Sequence, residues 1–147
     1  MSRHCARETA FRMLFQMDLG RNNYKEAENT MSEALADKVI SKRDCDYIEG
    51  VVQGVKKEEE KLDQFIRRYS QGWDINRINP VERNIIRLAL YETWFLDDVP
   101  MEVALNEAVE LAKSYGDHEA YSFVNGILDN VKKNADPKGF GEAEQEL

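Results

Sequence analysis

The segment from Asn79 to Phe95 constrains the fold of this chain more than any other. Asn79 suits the N-cap of a helix, because its side chain can accept a hydrogen bond from a first-turn N–H, and the next residue, Pro80, needs no partner for a donor there. One side of this helix carries the apolar residues Val81, Ile85, Ile86, Leu88, Ala89 and Phe95. Arg83 and Arg87 lie on the opposite side. So wide an apolar side predicts a central helix that is wrapped by helices from both halves of the chain.

Glu92 lies in the middle of this apolar side. A buried carboxylate needs a partner, because without one it is strongly destabilising or its pKa rises. We expect a buried Arg, with Arg7 as a candidate, or a Tyr hydroxyl or a helix N-terminus. No second catalytic group lies within a turn of Glu92, which favours a structural role over that of a catalytic acid.

The composition predicts one mostly helical domain with room for two subdomains. The chain has 147 residues, of which 42% are hydrophobic, with only three Pro and eight Gly. No apolar run approaches the roughly 20 residues that span a membrane, and charges stand where a signal peptide would be apolar. We therefore expect no membrane association and a cytoplasmic location.

The charge is unevenly distributed along the chain. A formal net charge of −8 does not attract nucleic acid as a whole, so such a role requires a local basic patch. Residues 1–26 are net positive, and Arg3 and Arg7 lie one turn apart on one helix face. This face is either simply solvated or a phosphate-binding arm, since the Arg side chain matches phosphate geometry. Cys5 and Cys45 are too few for a metal site and are interpreted as buried or incidental thiols.

The remaining sequence predicts an all-α architecture of about seven helices. Apolar spacing and cap residues place helices at 3–19, 25–40, 101–114 and 118–133. Between a cap at Ser41 and an end at Gly72 they place either two helices joined by the charged run 56–61 or one longer helix. Residues 1–133 are expected to form a single domain, and 134–147 a disordered acidic tail. Trp73 and Ile78 are expected to pack across the junction of the two halves of the chain, and Gly50 and Gly54 to allow close helix approach.

The sequence contains none of the common catalytic or metal-binding motifs. It has no Gly-rich phosphate loop, no His-Glu-x-x-His, no nucleophile elbow and no paired Cys or His ligands. His4 and His118 alone could act as imidazole bases, and both fall near helix starts where exposure is expected. We therefore predict no enzymatic activity, no cofactor and no metal.

Several stretches resemble the NusB family of bacterial transcription antitermination proteins. They read ARE and LFQ within residues 6–16, NPVER and IRLALYE within 79–92, and VALNEAVELAK and FVNGILD within 103–129. The resemblance extends to about residue 133 in the family's order and spacing. It implies two three-helix subdomains around a central helix and no enzymatic activity.

The resemblance also implies a function and its partners. Family members bind the single-stranded boxA element of ribosomal RNA leaders together with NusE, a small-subunit ribosomal protein. The assembly joins an antitermination complex that keeps RNA polymerase from terminating early on ribosomal RNA operons. Some members form homodimers that cover the RNA-binding surface.

Two sets of site residues follow from the resemblance. The positions that it implies for RNA binding are Arg3, His4, Arg7, Glu119 and Phe123. The positions that it implies for NusE are Phe15 and Glu82. His4 and Cys5 stand where the family often has further Arg, which should weaken the salt dependence of RNA binding by roughly 0.7 per lost contact.

Three of these positions leave alternatives open. Phe123 suits base stacking, but its helical position also suits the core. Asn125 and Gly126 have two interpretations. Either their small size allows a close helix contact, or the side chain of Asn125 hydrogen-bonds to a base edge or caps a neighbouring helix. Arg7→Ala is expected to weaken RNA binding with little effect on the melting temperature, unless Arg7 is the partner of Glu92.

Two other functions are compatible with the same pattern. The fold also occurs as the RNA-binding N-terminal module of ribosomal RNA cytosine methyltransferases. Because no methyltransferase domain follows residue 147, we do not expect this chain to be such a module. The second alternative is a dimer-forming helical protein without an RNA role. Light scattering combined with RNA titration would distinguish a dimer without an RNA role from a dimer that is the storage state of an RNA-binding protein.

Overall fold

The computed structural model describes residues 2–20, 23–36 and 38–135. Over these ranges the chain is all-helical, which confirms the predicted fold class. The seven α-helices are α1 (Arg3–Gly20), α2 (Tyr24–Ala34), α3 (Lys42–Lys57), α4 (Glu59–Tyr69), α5 (Pro80–Phe95), α6 (Met101–Tyr115) and α7 (His118–Asn134). A short 3₁₀ helix, Ile75–Arg77, precedes α5. The predicted tail lies outside the described residues from 136 onward, and its first residue, Asn134, belongs to α7.

The chain divides into two compact units. The N-terminal unit is Met1–Lys57 and the C-terminal unit is Glu58–Leu147. The assignment of residues 1–133 to a single domain stays a prediction. No helix within the described ranges is both long and apolar enough to cross a membrane.

In the N-terminal unit, α1 packs against α2 and α3. Its core joins Phe11, Met13 and Leu14 of α1 to Val51 and Val52 of α3, all of them buried. Such an apolar interface supplies most of the stability of helices of this length.

Two features of the N-terminal unit differ from the prediction. Helix α2 ends at Ala34 rather than near residue 40. Val39 is 91% exposed, so continuing the helix past Ala34 would bury little apolar surface. A Cβ on Gly50 would meet nothing within 4 Å, so this glycine does not serve a close helix contact. Ser41, by contrast, accepts a hydrogen bond from the N–H of Asp44 (3.1 Å), which confirms the predicted cap.

In the C-terminal unit, α5 contacts α4, α6 and α7. Nine of its sixteen residues are buried, which confirms its central place in this unit. The predicted cap is also confirmed, since the side chain of Asn79 accepts a hydrogen bond from the N–H of Val81 (2.8 Å). Glu92 is 1% exposed, as its position in the apolar side predicted, and the identity of its partner stays a prediction.

The two arginines of α5 are held by other elements of the C-terminal unit. Arg87 is 5% exposed. It donates two hydrogen bonds to the carboxylate of Asp63, at 2.8 and 2.9 Å, and lies 2.9 Å from Glu59. Arg83 donates to the backbone carbonyls of Ile75 and Ile78, at 2.9 and 3.2 Å. Periodicity gives the direction of a side chain but not the element that covers it, so the sequence missed this network.

A tight connection joins α6 to α7. Gly116 follows α6 as its predicted cap, and a Cβ there would lie 2.6 Å from the Cβ of Ala120. Only a glycine allows this close approach. Asp117 then caps α7 by accepting a hydrogen bond from the N–H of Ala120 (2.8 Å). These contacts fix the position of the first turn of α7, which carries Glu119.

Candidate functional site

Arg3 and Arg7 converge on one aromatic ring in the N-terminal unit. The guanidinium carbons of Arg3 and Arg7 lie 4.1 and 5.9 Å from the ring centre of Tyr47, which belongs to α3. The face of an aromatic ring attracts a guanidinium by about 0.5–2 kcal/mol. A neutral ring orients the cation but leaves its charge in place, so the Arg3 side chain is positioned for an anionic ligand.

The two arginines differ in accessibility. Arg3 is half-buried, whereas Arg7 is 5% exposed. Burial of a long charged side chain is rare unless the side chain contributes to the fold. This burial weighs against the expectation that Arg7→Ala leaves the melting temperature nearly unchanged, which stays a prediction. A contact of Arg7 with RNA stays a prediction.

Three further residues of α1 complete the sequence-predicted set in this unit. His4 is exposed beside Arg3. Phe15 is half-buried, with its ring centre 6.0 Å from that of Phe11, so one part of the ring is anchored in the core and another is accessible. This placement is compatible with a protein contact. Cys5 and Cys45 are free thiols and are exposed, so the interpretation as buried thiols is wrong.

The C-terminal unit brings three carboxylates together. Glu82 lies in the first turn of α5, and Asp117 and Glu119 lie at the start of α7. Burial raises the pKa of Glu82 above its ordinary value, and the negative charges of Asp117 and Glu119 raise this pKa further. The sequence singled out Glu82 and Glu119 but missed Asp117, whose cap position was not recognised as part of the cluster.

This carboxylate cluster favours cationic ligands and repels phosphate. It suits the predicted role of Glu82 toward a protein partner. A carboxylate can still contact RNA by accepting a hydrogen bond from a base amino group, as Glu and Asp do toward cytosine. The RNA contact of Glu119 stays a prediction of that kind.

Phe123 pairs with Trp73 at the surface of the C-terminal unit. Their ring centres lie 5.6 Å apart, with the planes at 70°. Phe123 is half-buried, so its burial does not decide whether it is a core residue or a residue that stacks on a base. Trp73 is 52% exposed and Ile78 is buried, and the packing of this pair across the junction of the two halves stays a prediction. The sequence missed this pair because its members lie far apart along the chain.

The neighbouring residues of α7 settle one of the open alternatives. A Cβ on Gly126 would meet nothing within 4 Å, so its small size does not serve a helix contact. Asn125 is exposed, which leaves the interpretation as a reader of a base edge open. Within the described ranges, no group of three His, Cys, Asp or Glu side chains could hold a metal ion.

The chain is similar in sequence and in fold to proteins of one family. The sequence profile of the NusB family matches residues 4–133. Transcription antitermination protein NusB of Ruminiclostridium cellulolyticum is 39% identical over 94% of this chain and 93% of its own. T. maritima NusB is 36% identical in sequence, and its structure superposes with a TM-score of 0.82 over 97% of this chain and 98% of that one. A crystal structure of the antitermination factors NusB and NusE in complex with double-stranded RNA is 31% identical, with a TM-score of 0.77 over 90% and 98% of the two chains. By both sequence and structure, the chain belongs to the NusB family.

Proposed function

We propose that this protein is an RNA-binding transcription antitermination factor. It binds the boxA element of ribosomal RNA leader transcripts together with NusE and prevents premature termination by RNA polymerase. The observation that carries the proposal is the match to the NusB family over residues 4–133, with relatives named transcription antitermination proteins. The solved complex of NusB and NusE with RNA supports both classes of partner.

The charge distribution supports an RNA contact in the N-terminal unit. The net charge of −8 repels RNA, so binding depends on local cations. Arg3 lies on the face of Tyr47 and is half-buried, which limits its conformations before RNA arrives. Less side-chain entropy is then lost on binding than for a freely moving arginine. We assign the first phosphate contact to Arg3, with His4 and Arg7 as its neighbours.

The carboxylate cluster supports a protein contact in the C-terminal unit. Proteins of the ribosome that touch RNA carry many cations, and Glu82, Asp117 and Glu119 offer them a negative surface. Phe15 adds an accessible apolar group in the N-terminal unit. We propose Phe15 and Glu82 as contacts to NusE, and Glu119 and Phe123 as contacts to RNA.

The proposal includes no chemical step. We propose that the protein acts in the cytoplasm as an adaptor without enzymatic activity and contributes one surface of the antitermination complex on RNA polymerase. A homodimer of this chain would be a storage form, because family-type dimers cover the surface that binds RNA.

A gel-shift series tests this function. The protein is titrated into single-stranded boxA-type RNA, a scrambled RNA of equal length and the corresponding duplex, each with and without NusE. We expect a shift of the boxA-type strand that NusE strengthens, and weaker shifts of the scrambled strand. Absence of binding to any of these RNAs, both with and without NusE, would refute the proposal. Light scattering in parallel tests whether RNA dissociates a homodimer.

A further inference from the structure

The exposed ring of Trp73 and the half-buried ring of Phe123 form an aromatic corner at the surface of the C-terminal unit. Their planes meet at 70°, so a flat ligand that stacks on the indole also meets the phenyl ring at its edge. More than half of Trp73 is exposed, although a large apolar ring gains free energy by burial. The geometry of the pair is thus that of a binding site for a planar group.

The backbone holds this corner in place before any ligand binds. The N–H of Gly72 donates to the carbonyl of Arg67 (2.8 Å), which closes the end of α4. Gln71 has a φ of +62° and Gly72 one of +89°, so the chain leaves α4 through a left-handed turn that is unfavourable for Gln. The side chain of Asn130 on α7 donates to the carbonyl of Tyr69 (3.0 Å). This hydrogen bond ties the turn to the helix that carries Phe123.

A groove of about 390 Å³ lies beside the corner. Its size is within the range of roughly 300–1,000 Å³ that small-molecule sites occupy. The lining includes Tyr69, Gln71, Trp73, Ser122, Phe123 and Gly126. Gln71 and Ser122 are exposed and offer both donors and acceptors, as the edge of a base requires. The groove therefore combines aromatic walls with a polar rim.

A cation beside one residue of the groove distinguishes a nucleotide from an apolar peptide. Arg68 lies over the ring of Tyr69, with its guanidinium carbon 5.8 Å from the ring centre. A ligand with a planar ring and an attached phosphate matches both features, whereas an apolar peptide matches the rings alone.

We infer that this groove receives one unstacked base of the bound RNA, with the indole of Trp73 as the stacking surface and Phe123 as the second wall. The inference rests on the proposed RNA-binding function and adds Trp73 and the open side of Gly126 to its residues. Stacking on an aromatic side chain tolerates different bases, so the groove contributes affinity more than sequence preference.

Tryptophan fluorescence tests this inference directly. The chain has two tryptophans, and Trp94 packs against Phe65 with ring centres 4.8 Å apart. In a Trp94→Phe variant, Trp73 is the remaining tryptophan. Titration with single-stranded boxA-type RNA should then quench its emission, because a stacked base quenches indole. RNAs with a single abasic position, moved along the strand, should lose the quenching at one position.

Substitutions of Trp73 give the second measurement. Trp73→Leu should lower RNA affinity by roughly 5- to 150-fold, the range expected for the loss of one base–aromatic stack. Trp73→Phe should restore part of the affinity, since it keeps an aromatic face. Neither substitution should lower the melting temperature much, because the ring is largely exposed.

Two glycines provide a matched pair of variants for the groove itself. Gly126 and Gly50 both lie inside helices, and a Cβ on either meets nothing within 4 Å. Leucine at either position should raise the melting temperature, since glycine is unfavourable in a helix. Gly126→Leu places a side chain in the groove and should weaken RNA binding. Gly50→Leu, on α3 and outside the groove, should leave RNA binding unchanged.

The outcomes separate this inference from the proposed function. If boxA-type RNA shifts the protein in gels but neither quenches Trp73 nor binds Trp73→Leu less tightly, the inference is wrong and the function stands. Quenching by NusE in the absence of RNA would assign the groove to a protein and would also overturn it. If no RNA binds the unmodified protein, both the function and the inference fail.

Discussion

Arg87 in the C-terminal unit and Arg3 in the N-terminal unit are both held in place, but by opposite means. Arg87 is buried between the carboxylates of Asp63 and Glu59. Arg3 is half-buried over the face of Tyr47, a neutral ring. The carboxylates neutralise the first guanidinium, whereas the ring orients the second and leaves its charge to act on a ligand.

This difference separates arginines that stabilise from arginines that bind. A buried guanidinium with matched carboxylates interacts strongly with them and little with solvent ions. A guanidinium on a ring keeps a field that attracts phosphate, and the loss of counterions from RNA then adds to its affinity. The following substitutions test whether the two kinds of site behave differently.

The largest effect is expected for Arg87→Met. It leaves Asp63 and Glu59 without their guanidinium, and removal of one partner of a buried pair costs about 3–5 kcal/mol. Because both carboxylates retain some exposure, we expect the lower end of this range. Urea unfolding measures the loss, and RNA affinity of the folded protein should not change.

The double variant Arg87→Met/Asp63→Leu is the control for this prediction. Replacing both members of a buried pair by apolar residues is often close to neutral, so part of the lost stability should return. If Arg87→Met instead lowers RNA affinity at a temperature where the protein is fully folded, the distinction between the two kinds of arginine is wrong.

Arg7→Ala is expected to have the next largest effect, a loss of about 2 kcal/mol of unfolding free energy. Arg7 is 5% exposed, and its removal takes away buried contacts as well as charge. Thermal and urea unfolding of Arg7→Ala and Arg7→Lys measure the effect. An unchanged melting temperature for Arg7→Ala would show that Arg7, like Arg3, is not required for the stability of the fold.

Arg3→Ala should affect RNA binding more than stability. Loss of one phosphate contact should lower affinity roughly threefold and flatten the slope of log affinity against log salt by about 0.7. The loss of the ring contact should cost less than about 1 kcal/mol of stability. Lys57→Ala removes an equal charge from an exposed position of the same unit and is the matched control. Equal salt slopes for the two variants would show that Arg3 acts through net charge alone.

The sequence predicted the parts of the fold that depend on local rules. The caps at Asn79 and Ser41 and the break at Gly116 follow from side-chain and backbone preferences within a few residues, and all three are confirmed. The early end of α2 was missed, because it depends on whether Val39 finds a buried environment. Such an environment is a property of the folded chain.

Only those parts of the candidate site were predictable in which the role of a residue follows from that residue alone. Arg3, Glu82 and Phe123 were found from charge or from the resemblance. Their surroundings were not: the ring of Tyr47, the carboxylate of Asp117 and the indole of Trp73 come from other elements of the same unit. No local pattern in the sequence brings residues of different helices together, so these partners required the structure.

Glu82 provides the smallest effect and a contrast to both arginines, because it faces other carboxylates rather than a cation or a ring. Burial and the charges of Asp117 and Glu119 raise its pKa in the folded state above the ordinary value of 4.5. The ionised group therefore destabilises the fold above that raised pKa, and the effect disappears below the ordinary pKa, where both states are protonated. Glu82→Gln should raise the unfolding free energy at pH 7 by at most about 0.5 kcal/mol, the usual size of a surface effect, and should not change it at about pH 3 or below.

The same substitution should weaken binding of the cationic partner by roughly two- to fivefold at low salt, as expected for one partly exposed charge. Isothermal titration with NusE at pH 7, with Glu110→Gln of α6 as a control of equal charge, measures this loss. A gain in stability without a loss of affinity would mean that the carboxylates of the cluster repel one another but do not contact NusE. A loss of both would mean that Glu82 supports the fold, as Asp63 does beside Arg87, and the contrast between neutralised and exposed charge would no longer hold for the carboxylates.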